Sequence, residues 1–150
     1  MNEVCRQLTI ASIDEVESNP TGQYDAILSV CQDRCEDNVS DDVQYAQYPL
    51  ADGCDSEYNW GGEYSFEMFN DAVKQLVQAL FDDKEVLCHC HVGRNRSVSV
   101  SMAAYAIWRD VTFSSARRTV MAGQDKEPPD EELLAFARHA VAEAPQGYPQ

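Results

Sequence analysis

The segment Val86–Trp108 leaves little freedom in how the chain folds. Val86-Leu87-Cys88-His89 is an apolar run of strand length, and Val98 to Trp108 is apolar nearly all round, as a buried helix is. Only Cys90-His91-Val92-Gly93-Arg94-Asn95-Arg96-Ser97 separates them. A strand that feeds a buried helix through so short a loop leaves the helix's first amides pointing at the loop's centre. That arrangement binds anions, because unpaired N–H groups and the positive end of the helix dipole meet there. Gly93, midway, lets the backbone take conformations a Cβ would forbid, so successive N–H groups can curl around a tetrahedral anion. Arg96 offers a planar fork that pairs bidentately with two phosphate oxygens. Cys90 sits at the base of this cradle, where the helix end, the inward amides and the nearby arginine all favour its thiolate.

The remaining pattern places this unit in an α/β fold. Val4–Ile10, Ala26–Cys31 and Glu85–His89 read as strands, with a further extended piece at Val43–Leu50, where Pro49 marks an edge or a strand end. From Tyr64 to Phe81, Phe66, Phe69, Val73, Leu76, Val77 and Leu80 recur at spacings of three and four, one apolar stripe stopped by Asp82-Asp83. Ser114–Met121 reads as a shorter helix ended by Gly123. Pro128-Pro129-Asp130 opens the last helix with Asp130 as N-cap and Leu133, Leu134, Phe136 and Ala137 inward. Strands alternating with helices predict a single central mixed sheet flanked by helices. The 150 residues suit one domain, 1–150. Asp52–Tyr64 lacks periodicity but carries Gly53, Gly61, Gly62 and four acids, the composition of a functional loop.

Charge narrows the partners. Twenty-six acids against eleven bases give a net charge of −15, which disfavours an anionic nucleic acid. Acids dispersed along the chain, with Arg preferred to Lys, resemble the surfaces of proteins from salt-loving microbes, where salt screens self-repulsion. Met1 to Val16 has acids and no leader-like apolar region, and no stretch nears the ~20 apolar residues of a membrane span. The sequence therefore reads as a cytoplasmic protein without a membrane partner, taken as a monomer. Its six cysteines read as reduced thiols. Cys88-His89-Cys90-His91 makes no metal site, because adjacent strand residues point to opposite faces.

His89-Cys90-x5-Arg96-Ser97, with Gly93 inside, resembles the signature of the cysteine-based protein tyrosine phosphatase superfamily, in its compact dual-specificity phosphatase branch. Tyr48-Pro49-Leu50-Ala51-Asp52 is similar to the segment bearing that family's general acid. Phe66–Leu80 is similar to the helix before the signature strand, Ala104-Tyr105 to part of the helix after it, and Thr112–Val120 with the closing helix to its C-terminal pair. The resemblance implies that Cys90 attacks phosphorus and Arg96 stabilises the transition state. It implies that Asp52 protonates the leaving oxygen and then activates water, that Ser97 hydrogen-bonds the sulfur, and that His89 orders the loop from behind. Residues His91, Val92, Gly93, Arg94 and Asn95 would line the phosphate, with no metal and no organic cofactor. The residues alone reach Cys90 and Arg96 but leave Asp52, Asp55 and Glu57 open as the acid; the family pattern favours Asp52.

Other readings attach to single positions. Arg94 either reaches an acidic feature of the substrate or offsets the acidic surface, and Arg117-Arg118 reads as a solvated helix face. Asn95 reads as a hydrogen-bonding member of the loop. Cys88 reads as a buried thiol on the same side of the strand as Cys90; it or Cys54 could protect Cys90 as a disulfide. Tyr58 and Trp60 either wall the substrate or pin their loop. The implied activity is hydrolysis of phosphotyrosine, with or without phosphoserine and phosphothreonine, on protein substrates. An RNA 5′-triphosphatase is the alternative suggested by Gly93-x-Asn95-Arg96, although that loop normally continues Thr-Gly and here continues Ser97-Val98. A pseudophosphatase that binds without turnover has no need of Cys90, and the Cys-to-Arg spacing fits a rhodanese-like sulfur transferase less well.

Overall fold

In the computed structural model, which describes residues 1–33, 39–52 and 62–145, five strands form one mixed sheet. They are β1 (Asn2–Cys5), β2 (Leu8–Ser12), β3 (Ala26–Ser29), β4 (Gln44–Gln47) and β5 (Val86–Cys90), in the spatial order β1-β2-β5-β3-β4. Only the β1–β2 pair is antiparallel. β5 is buried along its whole length and pairs with β2 and β3 on either side, which explains why it reads as a continuous apolar run rather than an alternating one. Its last residue, Cys90, lies opposite Ser12, the last residue of β2. The central parallel strands thus end together, where an open α/β sheet leaves a crevice.

The stretch expected as one strand, Val4–Ile10, is instead the two strands β1 and β2 turning at Arg6-Gln7. The turn is held from outside, where local pattern gives no sign of it. The Gln7 amide donates to the carbonyls of Leu80 and Lys84, and Val86 N–H donates to Gln7 O at 2.8 Å. A short helix, α1 (Ile13–Ser18), follows β2 and was not anticipated. Six residues are too few to show a helical period, but the capping box was readable: Ser12 accepts from Glu15 N–H while the Glu15 carboxylate accepts from Ser12 N–H.

α2 (Phe66–Phe81) begins at Ser65, whose hydroxyl accepts from Met68 N–H, and buries Phe69, Val73, Leu76, Val77 and Leu80. Each such side chain contributes about 1.5–3 kcal/mol on burial, more than enough to fix a helix that would be marginal alone. α3 (Arg96–Arg109) is the central helix and is buried from Arg96 to Ala104. α4 (Phe113–Ala122) and α5 (Glu131–Glu143) pack against it. α2, α3 and α5 cover one face of the sheet around Leu8, Leu28, Val86 and Cys88. On the other face α1 lies over Ala11, Ile27 and Leu87. The architecture is α/β, a mixed sheet flanked by helices. Among the described residues no helix is long and apolar enough to cross a membrane.

Two helices lack an expected feature. Asn95 is the N-cap of α3 and Asp130 the N-cap of α5, yet neither side chain makes a capping bond. An Asn or Asp cap is ordinarily worth about 0.5–2 kcal/mol to its helix.

Candidate active site

Residues 91–95 leave β5, turn back over the ends of β2 and β5, and enter α3 at Arg96. Their carbonyls are held from outside the turn. Ile13 N–H donates to His91 O at 3.1 Å, Lys126 Nζ to Val92 O at 2.8 Å, and Gln124 Nε2 to Gly93 O at 3.0 Å. Because a trans peptide points its N–H opposite its C=O, carbonyls drawn outward turn the following amides inward. Gly93 N–H donates to Cys90 Sγ at 3.2 Å, and Ser97 Oγ lies 3.1 Å from the same sulfur. Gly93 adopts φ +80, and a Cβ there would stand 3.0 Å from Ala11 C and Ser12 N. Both the left-handed backbone and the contact demand glycine. Gly93→Ala should therefore cost about 1–3 kcal/mol in urea unfolding; a change within about 0.3 kcal/mol would show that the turn relaxes without strain.

Arg96 is 6 % exposed. Its Nη1 donates to Gln32 Oε1 at 2.7 Å and to Leu50 O at 3.0 Å, and its Nε lies 3.4 Å from Asp52 Oδ1. Pinned through one nitrogen, the planar group has a fixed orientation toward the cavity it lines. Gly62 permits this, since a Cβ on it would collide with the Gln32 amide. No local pattern marks Gln32, whose loop follows β3, or the outward donors Gln124 and Lys126.

Asp52 is drawn to the same place. Asn95 Nδ2 donates to Asp52 Oδ1 at 2.9 Å and to Asp52 O at 3.2 Å. Asp55, Glu57, Cys54, Tyr58 and Trp60 lie outside the described residues, so the readings attached to them stay as they were. Cys90, His91, Val92, Arg94, Asn95, Arg96 and Asp52, with Gln32 and Asp33, line one cavity of about 370 Å³. Within it His91 Nδ1 lies 2.8 Å from Asp33 Oδ2, and Val92 is exposed at the rim. Arg94 is turned toward α5: Nη1 donates to Pro128 O at 2.7 Å and Nη2 to Asp130 Oδ1 at 3.3 Å.

His89 is fully buried, its Nδ1 3.4 Å from Cys90 O. Burial pushes its pKa down to about 4, so at neutral pH the ring is uncharged and acts on the turn through hydrogen bonds rather than charge. Cys31, Cys88 and Cys90 share one core cluster. Burial pushes the Cys31 thiol up to about 12, with Cys90 adding to the shift and Arg96 opposing it. Burial likewise holds the Cys88 thiol far above the ordinary range.

The site thus lies where the central strand of a mixed sheet ends in a cysteine and the next helix opens on an arginine. By sequence, the chain matches no protein-family model and no curated protein. Solved structures match throughout. Human DUSP28 superposes with a TM-score of 0.76 at 14 % identity, covering 95 % of this chain and 96 % of that one. Tk-PTP in its active form gives 0.72 at 16 % identity, over 95 % and 96 %. Human tyrosine phosphatase-like serine/threonine/tyrosine-interacting protein gives 0.69 at 15 % identity, over 95 % of both chains. The fold shared with these solved structures is the fold that the signature segment's resemblance implies.

Proposed function

We propose that the chain is a cysteine-dependent phosphatase that hydrolyses phosphomonoesters through a phosphocysteine intermediate. Its substrates on this reading are phosphotyrosine, with or without phosphoserine and phosphothreonine, on proteins. The observation that carries it is the convergence on one sulfur. Cys90 Sγ receives Gly93 N–H and Ser97 Oγ in a cavity whose wall is an arginine pinned through Nη1. In the first step Cys90 Sγ attacks phosphorus, the P–O bond to the leaving group breaks, and Asp52 gives its proton to that oxygen. The inward amides and Arg96 hold the three equatorial oxygens as their charge redistributes. In the second step Asp52 takes a proton from water, the water oxygen attacks phosphorus, and the thiolate leaves toward the Ser97 hydroxyl.

The resting contact between Asp52 and Arg96 suits this cycle. A bound phosphate competes for the same guanidinium, and loss of that contact leaves the Asp52 carboxyl free to face the leaving oxygen. The RNA 5′-triphosphatase reading gains nothing from Asn95, whose amide is directed to Asp52 and Asp130 rather than toward a nucleotide. The fold by itself does not separate hydrolysis from binding, since it is shared with a protein named for interaction. Retention of the nucleophile with its hydroxyl partner favours hydrolysis.

The test is turnover of aryl phosphates in the presence of a chelator, comparing wild type with Asp52→Ala. On phenyl phosphate, a poor leaving group, Asp52→Ala should reduce kcat about 100-fold; on dinitrophenyl phosphate it should reduce it less than about threefold. Equal losses on both substrates would remove Asp52 from the acid role. A wild type that turns over neither would overturn the phosphatase reading.

A further inference from the structure

Asp130 opens α5, far along the chain from the residues that line the cavity, and no reading of the sequence gives it a part in the chemistry. The structure joins it to them through Asn95. Asp130 N–H donates to Asn95 Oδ1 at 2.8 Å, and Asn95 Nδ2 donates to Asp130 Oδ2 at 3.1 Å. The same Nδ2 donates to Asp52 Oδ1 and Asp52 O. One buried amide, 4 % exposed, thus fastens the carboxylate and the main chain of Asp52 to the first turn of α5.

The caps give a second, independent sign. Asn and Asp are among the best N-cap residues, and here they occupy the N-cap positions of α3 and α5. Neither side chain turns to its own helix. Asp130 has the extended backbone of a capping residue yet bonds across to Asn95, whose own backbone is helical, and Arg94 Nη2 holds the other Asp130 oxygen at 3.3 Å. An aspartate chosen only to stabilise its helix would cap it.

We propose that Asp130, acting through Asn95, is a positioning residue for the Asp52 carboxyl. The inference rests on the phosphatase reading and adds to it that the α5 N-terminus sets where the general acid stands. With Asp130 holding the far end of the amide, Asn95 has one orientation, and Asp52 Oδ1 is presented at a fixed distance from the sulfur and the guanidinium. Without its carboxylate the amide keeps the bond from the residue-130 N–H but loses the one that holds its Nδ2 end, and proton delivery to the leaving oxygen weakens while the phosphate cradle remains.

Asp130→Ser is the informative variant. Serine caps a helix well, so α5 stays folded, but its side chain is too short to bridge to Asn95. On phenyl phosphate its kcat should fall about tenfold, and on dinitrophenyl phosphate it should stay within about twofold. Competitive inhibition by inorganic phosphate should also hold within about twofold. Asp130→Asn, which keeps an oxygen for the Asn95 amide, should restore phenyl phosphate turnover to within about twofold of wild type. In the Asp52→Ala background, Asp130→Ser should cause no further loss. Equal loss on both substrates, no loss on either, or full additivity with Asp52→Ala would overturn the proposal. Absent wild-type turnover would remove the phosphatase reading and this one together, whereas an intact Asp52→Ala signature beside a silent Asp130→Ser would remove this one alone.

Discussion

Cys90→Ser is expected to lower aryl phosphate turnover by at least about four orders of magnitude while leaving inorganic phosphate binding intact. The separation follows from where each job is done. Attack on phosphorus requires the sulfur, because a cysteine is intrinsically a far better nucleophile than a serine hydroxyl. Binding requires the inward amides, the α3 N-terminus and the Arg96 fork, none of which passes through the sulfur. Arg96 is oriented by Gln32 and Leu50. The turn is oriented by Ile13, Gln124 and Lys126 through its carbonyls. Phosphate affinity should therefore stay within about threefold of wild type. Titration calorimetry with inorganic phosphate, beside a discontinuous assay on phenyl phosphate, reads both. Turnover above about 1 % of wild type would mean that sulfur is not the nucleophile. Loss of binding together with turnover would mean that the sulfur holds the cradle's shape, leaving the kinetic result uninformative about chemistry.

What was legible in the sequence is local, and what was hidden is not. Strand β5, its turn and α3 are consecutive, so the apolar run, the glycine and the arginine fall at readable spacings. The stripe in α2 is likewise one segment's own period. Strands β1 and β2 read as one because their turn is stabilised by Leu80, Lys84 and Val86, in the middle of the chain and more than 70 residues away. Gln32 is 64 residues from the arginine it orients, and nothing about a lone glutamine after a strand announces that contact. Asn95 and Asp130 were harder still. Asp130 stands where a helix N-cap is wanted and Asn95 where the turn needs hydrogen bonds, so each already had a sufficient reason to be there. In the folded chain the two side chains bond to each other instead. The charge of −15 was legible too, and its consequence is that the cavity works against an adverse field. Arg96 and the turn's own amides must supply the local attraction for phosphate.

That demand makes Arg96→Lys the other change with a large expected effect, although it conserves charge. Arginine here does two things at once: Nη1 is spent on Gln32 Oε1 and Leu50 O, while the rest of the fork faces the cavity and Asp52. A single ammonium cannot do both. If it reaches the phosphate, Gln32 Oε1 and Leu50 O lose a buried donor, at a cost of about 1–3 kcal/mol. If it stays with them, the equatorial oxygens lose their bidentate partner. Either way kcat/KM for phenyl phosphate should fall about 100- to 10,000-fold, with most of the loss in kcat because the fork matches the flattened transition state better than the ground-state tetrahedron. Steady-state kinetics on phenyl phosphate and urea unfolding of the same preparation separate the two costs. A fall confined to KM would show that Arg96 binds substrate and transition state alike. Retention of more than about half of wild-type kcat/KM would show that charge alone suffices, and the case for a pinned guanidinium as the transition-state clamp would fail with it.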